Sequence, residues 1–162
     1  MTRKLFANVA ALVLLMFGVL GTGLAESDVA ACTNALLDGS YGFTVQGTKL
    51  AGPGPTGAQV GVAMTQFDGN VGLTQIDSVT IGGTVVADFT HTPATGTYTV
   101  NADCTGTFTL DFTDGRPTVV TNFVVVENGC EIDTVVVSAG GNQGILATGS
   151  VGKKRFCKAS HR

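Results

Sequence analysis

Basic side chains are nearly missing from the body of this sequence: from Glu26 to Gly152 only Lys49 and Arg116 occur, against twelve carboxylates. A surface so short of cations cannot neutralise a run of phosphates, so nucleic acid is not expected as a partner. Histidine is scarce as well, with only His91 and His161, and no C-x-x-C pair occurs. A closed metal shell is then hard to assemble, and neither metal nor cofactor is expected. No serine lies in a G-x-S-x-G turn, and no cysteine has a nearby histidine that would make it a thiolate nucleophile. The glycine-rich stretch Gly52-Pro53-Gly54-Pro55-Thr56-Gly57 lacks the Lys-Ser/Thr and following helix of a phosphate cradle. It is expected as a loop at one barrel mouth, placed to cover a ligand if there is one. With these chemistries set aside the sequence leans away from an enzyme.

What is present begins with export grammar. Arg3 and Lys4 precede an apolar run from Leu5 to Leu20, closed by Gly21, Thr22 and Gly23. The small residues Gly23 and Ala25 suit cleavage after Ala25, giving a signal peptide over residues 1–25 and a secreted or periplasmic mature chain. The run is short for a membrane span, so no stable span is expected in the mature chain. Val29-Ala30-Ala31-Cys32 also resembles a lipidation box, but Glu26, Ser27 and Asp28 separate it from the apolar run, and a lipid on Cys32 would strand another cysteine. The remainder is one domain's worth of chain, divided into an N-terminal segment (26–39), a β domain (40–152) and a basic tail (153–162). Lys153, Lys154, Arg155, Lys158 and Arg162 crowd into that tail, which is expected to be a solvated terminus offsetting the acidic body.

Four widely spaced cysteines in an exported chain point to disulfides. Counting back from a turn at Asp114 to Pro117 that pairs Thr113 with Thr118 sets Cys104 near Asn128. The expected bridges are therefore Cys104 with Cys130 and Cys32 with Cys157.

Period-two alternation marks strands at Ser40 to Lys49, Gln59 to Phe67, Val71 to Ile81, Thr84 to His91, Gly96 to Ala102, Thr107 to Thr113, Thr118 to Glu127, Cys130 to Ser138 and Ile145 to Gly152. Gly69-Asn70, Gly82-Gly83 and Asn128-Gly129 supply hairpin turns that need positive φ. Only Asp28 to Leu37 looks helical, and it is short. In Thr107 to Thr113, Phe108, Leu110 and Phe112 share one face and the threonines and Asp111 the other, which describes a sheet with one buried side. Val119 to Val126 is apolar on both faces, as expected of a strand covered outside or facing a cavity inside. Short turns throughout favour an all-β, closed up-and-down antiparallel barrel over a sandwich. Its strand count is about eight if Thr84 to Ala102 is one bent strand.

Gly39-Ser40-Tyr41-Gly42-Phe43, Phe67-Asp68-Gly69-Asn70 and the run from Gly96 to Thr107 give the chain a further likeness. Over roughly Leu37 to Gly152 it resembles exported proteins with an allene oxide cyclase barrel-like domain. The resemblance implies an eight-stranded barrel with a central cavity. None of the cyclase's catalytic positions is matched, so its chemistry does not carry over.

Tyr41, Phe43, Tyr98, Phe108, Leu110 and Phe112 are the candidate cavity-lining residues. His91 stands three residues after Asp88, which on a strand puts the two on opposite faces; a surface histidine is expected. Asp111 is expected on the exterior. The leading expectation is a non-catalytic binding module taking a small apolar ligand. The alternatives are a cyclase or isomerase working in the barrel cavity, which buried and paired polar groups in a roomy pocket would favour, and a structural or surface-interaction protein, for which an oligomer with no cavity would speak.

Overall fold

The computed structural model describes residues 31–139 and 145–157. Nine strands follow one another: β1 (Gly39–Lys49), β2 (Gly57–Phe67), β3 (Gly72–Ile81), β4 (Thr84–Ala87), β5 (Ala94–Val100), β6 (Thr105–Asp111), β7 (Val119–Val126), β8 (Glu131–Ala139) and β9 (Leu146–Lys154). Each pairs antiparallel with its neighbours, and β1 pairs with both β2 and β9 while β2 pairs with β3, so the sheet closes on itself. β4 lies along residues 79–81 of β3 and β5 along residues 72–75, so these two short strands are pieces of one interrupted wall strand. The ring therefore has eight positions, closed by main-chain pairing where β3 meets β5, while β4 pairs with β3 alone.

The expected strands end where turn chemistry stops them. Gly82 and Gly83 both hold positive φ, as a two-residue β3–β4 hairpin demands. β4 stops at Ala87, four residues before the expected end, because the Asp88 carboxylate accepts the Thr90 amide at 2.9 Å and its hydroxyl at 2.5 Å, folding the chain out of the ladder. At the other end of the chain β9 runs through Lys153 and Lys154, two residues into the stretch expected as tail.

The N-terminal helix expected from Asp28 to Leu37 is not supported. Within that segment the described residues hold only a four-residue 3-10 turn, Asn34–Leu37, and residues 28–30 lie outside the described residues, as do the signal segment, His161, Lys158 and Arg162. Side-chain bonding holds residues 31–38 as a plug instead: the Val100 amide donates to Asn34 Oδ1 at 2.7 Å, and the Tyr98 hydroxyl donates to the Asn34 carbonyl at 3.2 Å.

Under this plug the barrel is filled. Leu37, Tyr41, Phe67 and Ile132 are fully buried. Phe67 meets Tyr98 edge-on at 4.9 Å between centroids and Tyr41 at 5.4 Å, in the geometry aromatic pairs prefer. Gly152 and Gly106 make room inside the wall, since a Cβ at either would run into the Phe43 or Phe123 ring.

Both disulfides staple this same end, but with partners exchanged from those expected. Cys32 bonds Cys104 and Cys130 bonds Cys157, with Cα separations of 5.0 and 5.6 Å. The reason is register. Leu110 pairs with Val119 and Thr105 with Val124, so Cys104 stands against Val125, whose amide donates to the Cys104 carbonyl at 2.8 Å. That is too far back along the ladder for Cys130. The plug instead brings Cys32 alongside, its amide donating to the Ala102 carbonyl, while Lys154 donates to the Cys130 carbonyl and leads Cys157 to it. Disulfide pairs such as these suit an oxidising compartment. No helix among the described residues is long and apolar enough to cross a membrane.

Candidate functional site

The opposite half of the lumen is not filled. Inward residues there enclose a cavity of about 280 Å³, near the small end of ligand pockets, with an apolar floor of Phe43, Val79, Phe108 and Leu110 and a mouth framed by Pro53, Pro55 and Pro117. Of the candidate lining residues, Phe43, Phe108, Leu110 and Phe112 face this cavity. Tyr41 and Tyr98 also point inward, but from the first residues of β1 and the far part of β5, so they belong to the plugged end. The Gly52 to Gly57 loop lies at the mouth and contributes its two prolines.

Alternation places Leu73, Gln75, Asp77, Val79 and Ile81 of β3 inward, which buries a carboxylate in the wall: Asp77 is 5% exposed. A carboxylate so placed needs donors. Arg116 of the β6–β7 turn supplies them, its Nη1 donating to Asp77 Oδ1 and Oδ2 at 3.0 and 2.9 Å. The same guanidinium donates from Nε to Asp114 at 2.9 Å and stacks 3.9 Å from the centre of the Phe112 ring. Partial burial pushes the Asp114 pKa up, but the Arg116 amide, charge and side-chain hydrogen bond outweigh it and hold the carboxyl below the usual range.

His91 completes the cluster and overturns its expected surface position. With β4 ended at Ala87, residues 88–93 fold back and carry the imidazole into the gap in the wall, leaving its side chain 10% exposed. Nδ1 donates to the Asp88 carbonyl, and Nε2 lies 3.0 Å from Asp77 Oδ1 and 2.9 Å from Arg116 Nη2. One nitrogen cannot serve both: unprotonated it accepts from Arg116, protonated it donates to Asp77. The Asp88 and His91 side chains do not pair. Asp111 is exposed and accepts the Thr118 hydroxyl at 2.6 Å.

Three more polar groups in the cavity escaped the sequence-based selection. Lys49, the last inward residue of β1, is only 6% exposed and donates to the Pro53 carbonyl. Gln59 and Thr148 flank Gly47 on neighbouring strands and meet across it, Thr148 Oγ1 donating to Gln59 Oε1 at 3.1 Å. Among the described residues no group of three His, Cys, Asp or Glu side chains is placed to hold a metal ion.

No protein-family model, curated protein or solved structure matches the chain.

Proposed function

We propose that this protein is an exported binding module that holds a small, largely apolar molecule in the open half of its barrel. The observation that carries this reading is the cavity itself: packing that is complete at the plugged end gives way to an apolar-floored space with a few polar groups at its rim. Two disulfides and the signal-like leader agree with export. The resemblance to allene oxide cyclase barrel-like proteins agrees with a ligand-holding lumen. Native mass spectrometry of the mature protein, purified from the medium or periplasm with disulfides intact, tests it. A co-purifying small molecule is expected, displaced when Ala63 on the cavity wall is enlarged to leucine. A protein that is empty from every source and takes up no apolar probe would overturn the reading.

One observation favours a second reading, a cyclase or isomerase. Buried Asp77 and the half-buried Arg116 and Gln75 place polar groups in the same cavity, where partial removal from water strengthens their electrostatic action on a bound substrate. On that reading a co-purified ligand would change its chromatographic retention, without change of mass, on incubation with the protein, and Asp77→Asn would slow the conversion. Binding without conversion favours the module.

A further inference from the structure

We infer that the molecule held in the lumen is a compact monoanion, an aryl or branched-alkyl carboxylate whose head group rests on Lys49. This rests on the lumen being a binding site and adds the chemistry of its occupant. Among the described residues the charges facing the cavity are three, Lys49, Asp77 and Arg116. Arg116 is neutralised twice, by Asp77 and by Asp114. Lys49 forms no ion pair among the described residues, although its side chain is removed from water and its one partner is the neutral Pro53 carbonyl. An ammonium in such a place keeps two N–H groups and a full charge without a counter-ion, and its natural complement is an anion brought by the ligand.

A second donor stands beside it. Gln59 is the diagonal neighbour of Lys49 across the β1–β2 ladder, since Gly47 pairs with Gln59 and Lys49 with Gly57. Gln59 Oε1 is occupied by Thr148, and its Nε2 makes no hydrogen bond among the described residues. An ammonium and an amide N–H side by side at the rim of an apolar space form a cradle for a carboxylate. Asp77 and Asp114 together outnumber the single charge of Arg116, so that cluster disfavours the same head group and biases the ligand's orientation. The floor offers the rings of Phe43, Phe108 and Phe112, and the volume of about 280 Å³ suits a ring with a short side chain better than a long acyl chain.

Titration calorimetry with hydrocinnamate and with its neutral isostere hydrocinnamamide is the test. The full-length mature protein is expected to bind the acid at least about tenfold more tightly than the amide. Lys49→Met should abolish that preference while leaving amide binding in place, Lys49→Arg should keep it, and palmitate should bind more weakly than hydrocinnamate. Equal affinity for acid and amide in the unmutated protein overturns the head-group inference and leaves the lumen as a binding site. Binding of neither compound, nor of any neutral apolar probe, overturns both. If Lys49→Met fails to fold, the acid-to-amide ratio of the unmutated protein still decides.

Discussion

The two ends of this barrel are built from the same alternating strands and reach opposite outcomes. At the stapled end the inward positions carry large rings, the N-terminal plug covers them, Cys32–Cys104 ties the plug down, and Cys130–Cys157 joins β8 to the chain after β9. At the mouth the inward positions include Ala63, Gln59, Thr121, Thr148 and Ser150, side chains too small or too polar to fill the space. Stability and capacity for a ligand are thus separated along one axis: one end is packed as a core, and the other is held by a cluster of charges. The cost of each change should depend on the end at which it falls.

The largest contrast is expected between two phenylalanines. Phe67→Ala removes a fully buried ring that touches three others and should lower stability by about 3–5 kcal/mol in urea unfolding, whereas Phe112→Ala, on the cavity wall, should lose about half as much or less. Equal losses would mean that the mouth is packed as tightly as the base. Among the staples, Cys32–Cys104 closes a separation of 72 residues and Cys130–Cys157 one of 27. Paired Cys→Ser variants should cost about 4.4 and about 3.6 kcal/mol on the chain-entropy scale. Non-reducing peptide mapping should recover these two bridges.

At the mouth, Asp77→Asn leaves Arg116 without its buried partner and should cost about 3 kcal/mol, and the double variant Asp77→Leu with Arg116→Met should regain most of it. No recovery in the double variant would show that the cluster also holds the β6–β7 turn in place. The smallest effect concerns alkali, and it distinguishes the ends again. Burial, then the charge of Asp68, pushes the Tyr98 phenol up to about 12, and burial raises Tyr41 beyond that. Against an unfolded phenol near about 10, the neutral Tyr98 contributes stability that is whole below that pH and is lost as pH rises to about 12. Phenolate absorbance, readable because the chain has no tryptophan, should therefore rise together with loss of the stapled end, and Tyr98→Phe should flatten the dependence.

Strand parity was legible wherever alternation was clean. Phe108, Leu110 and Phe112 needed only the period of two; that period marks nine strands, and the count of eight needed Thr84 to Ala102 to act as one, which it does along β3. The disulfide partners were not legible, because they hang on register. The β6–β7 turn is longer than a tight pairing of Thr113 with Thr118 allows, and a shift of two residues at the turn carries through to Cys104. Asp77 and Lys49 had a signal that could have found them: each shares parity with clear core residues, Asp77 with Leu73 and Val79, Lys49 with Tyr41 and Phe43. A charge at an inward position of a short barrel is a marker of a lumen. His91 had no such signal, since its position depends on β4 ending early and the chain turning back.

That early ending gives the tube a line of compliance. Residues 76–78 of β3 have ladder partners in β2 and none on the other side, where β4 has stopped and β5 has not begun. Where β3 pairs with β5 the circumference is fixed by main-chain bonds, which resist stretching; beside residues 76–78 the gap is bridged by side chains, Asp77 to His91 and Arg116. A cylinder with one soft seam widens at the seam first. The girth of the cavity is thus adjustable at a place where charge, and not backbone, bridges the wall.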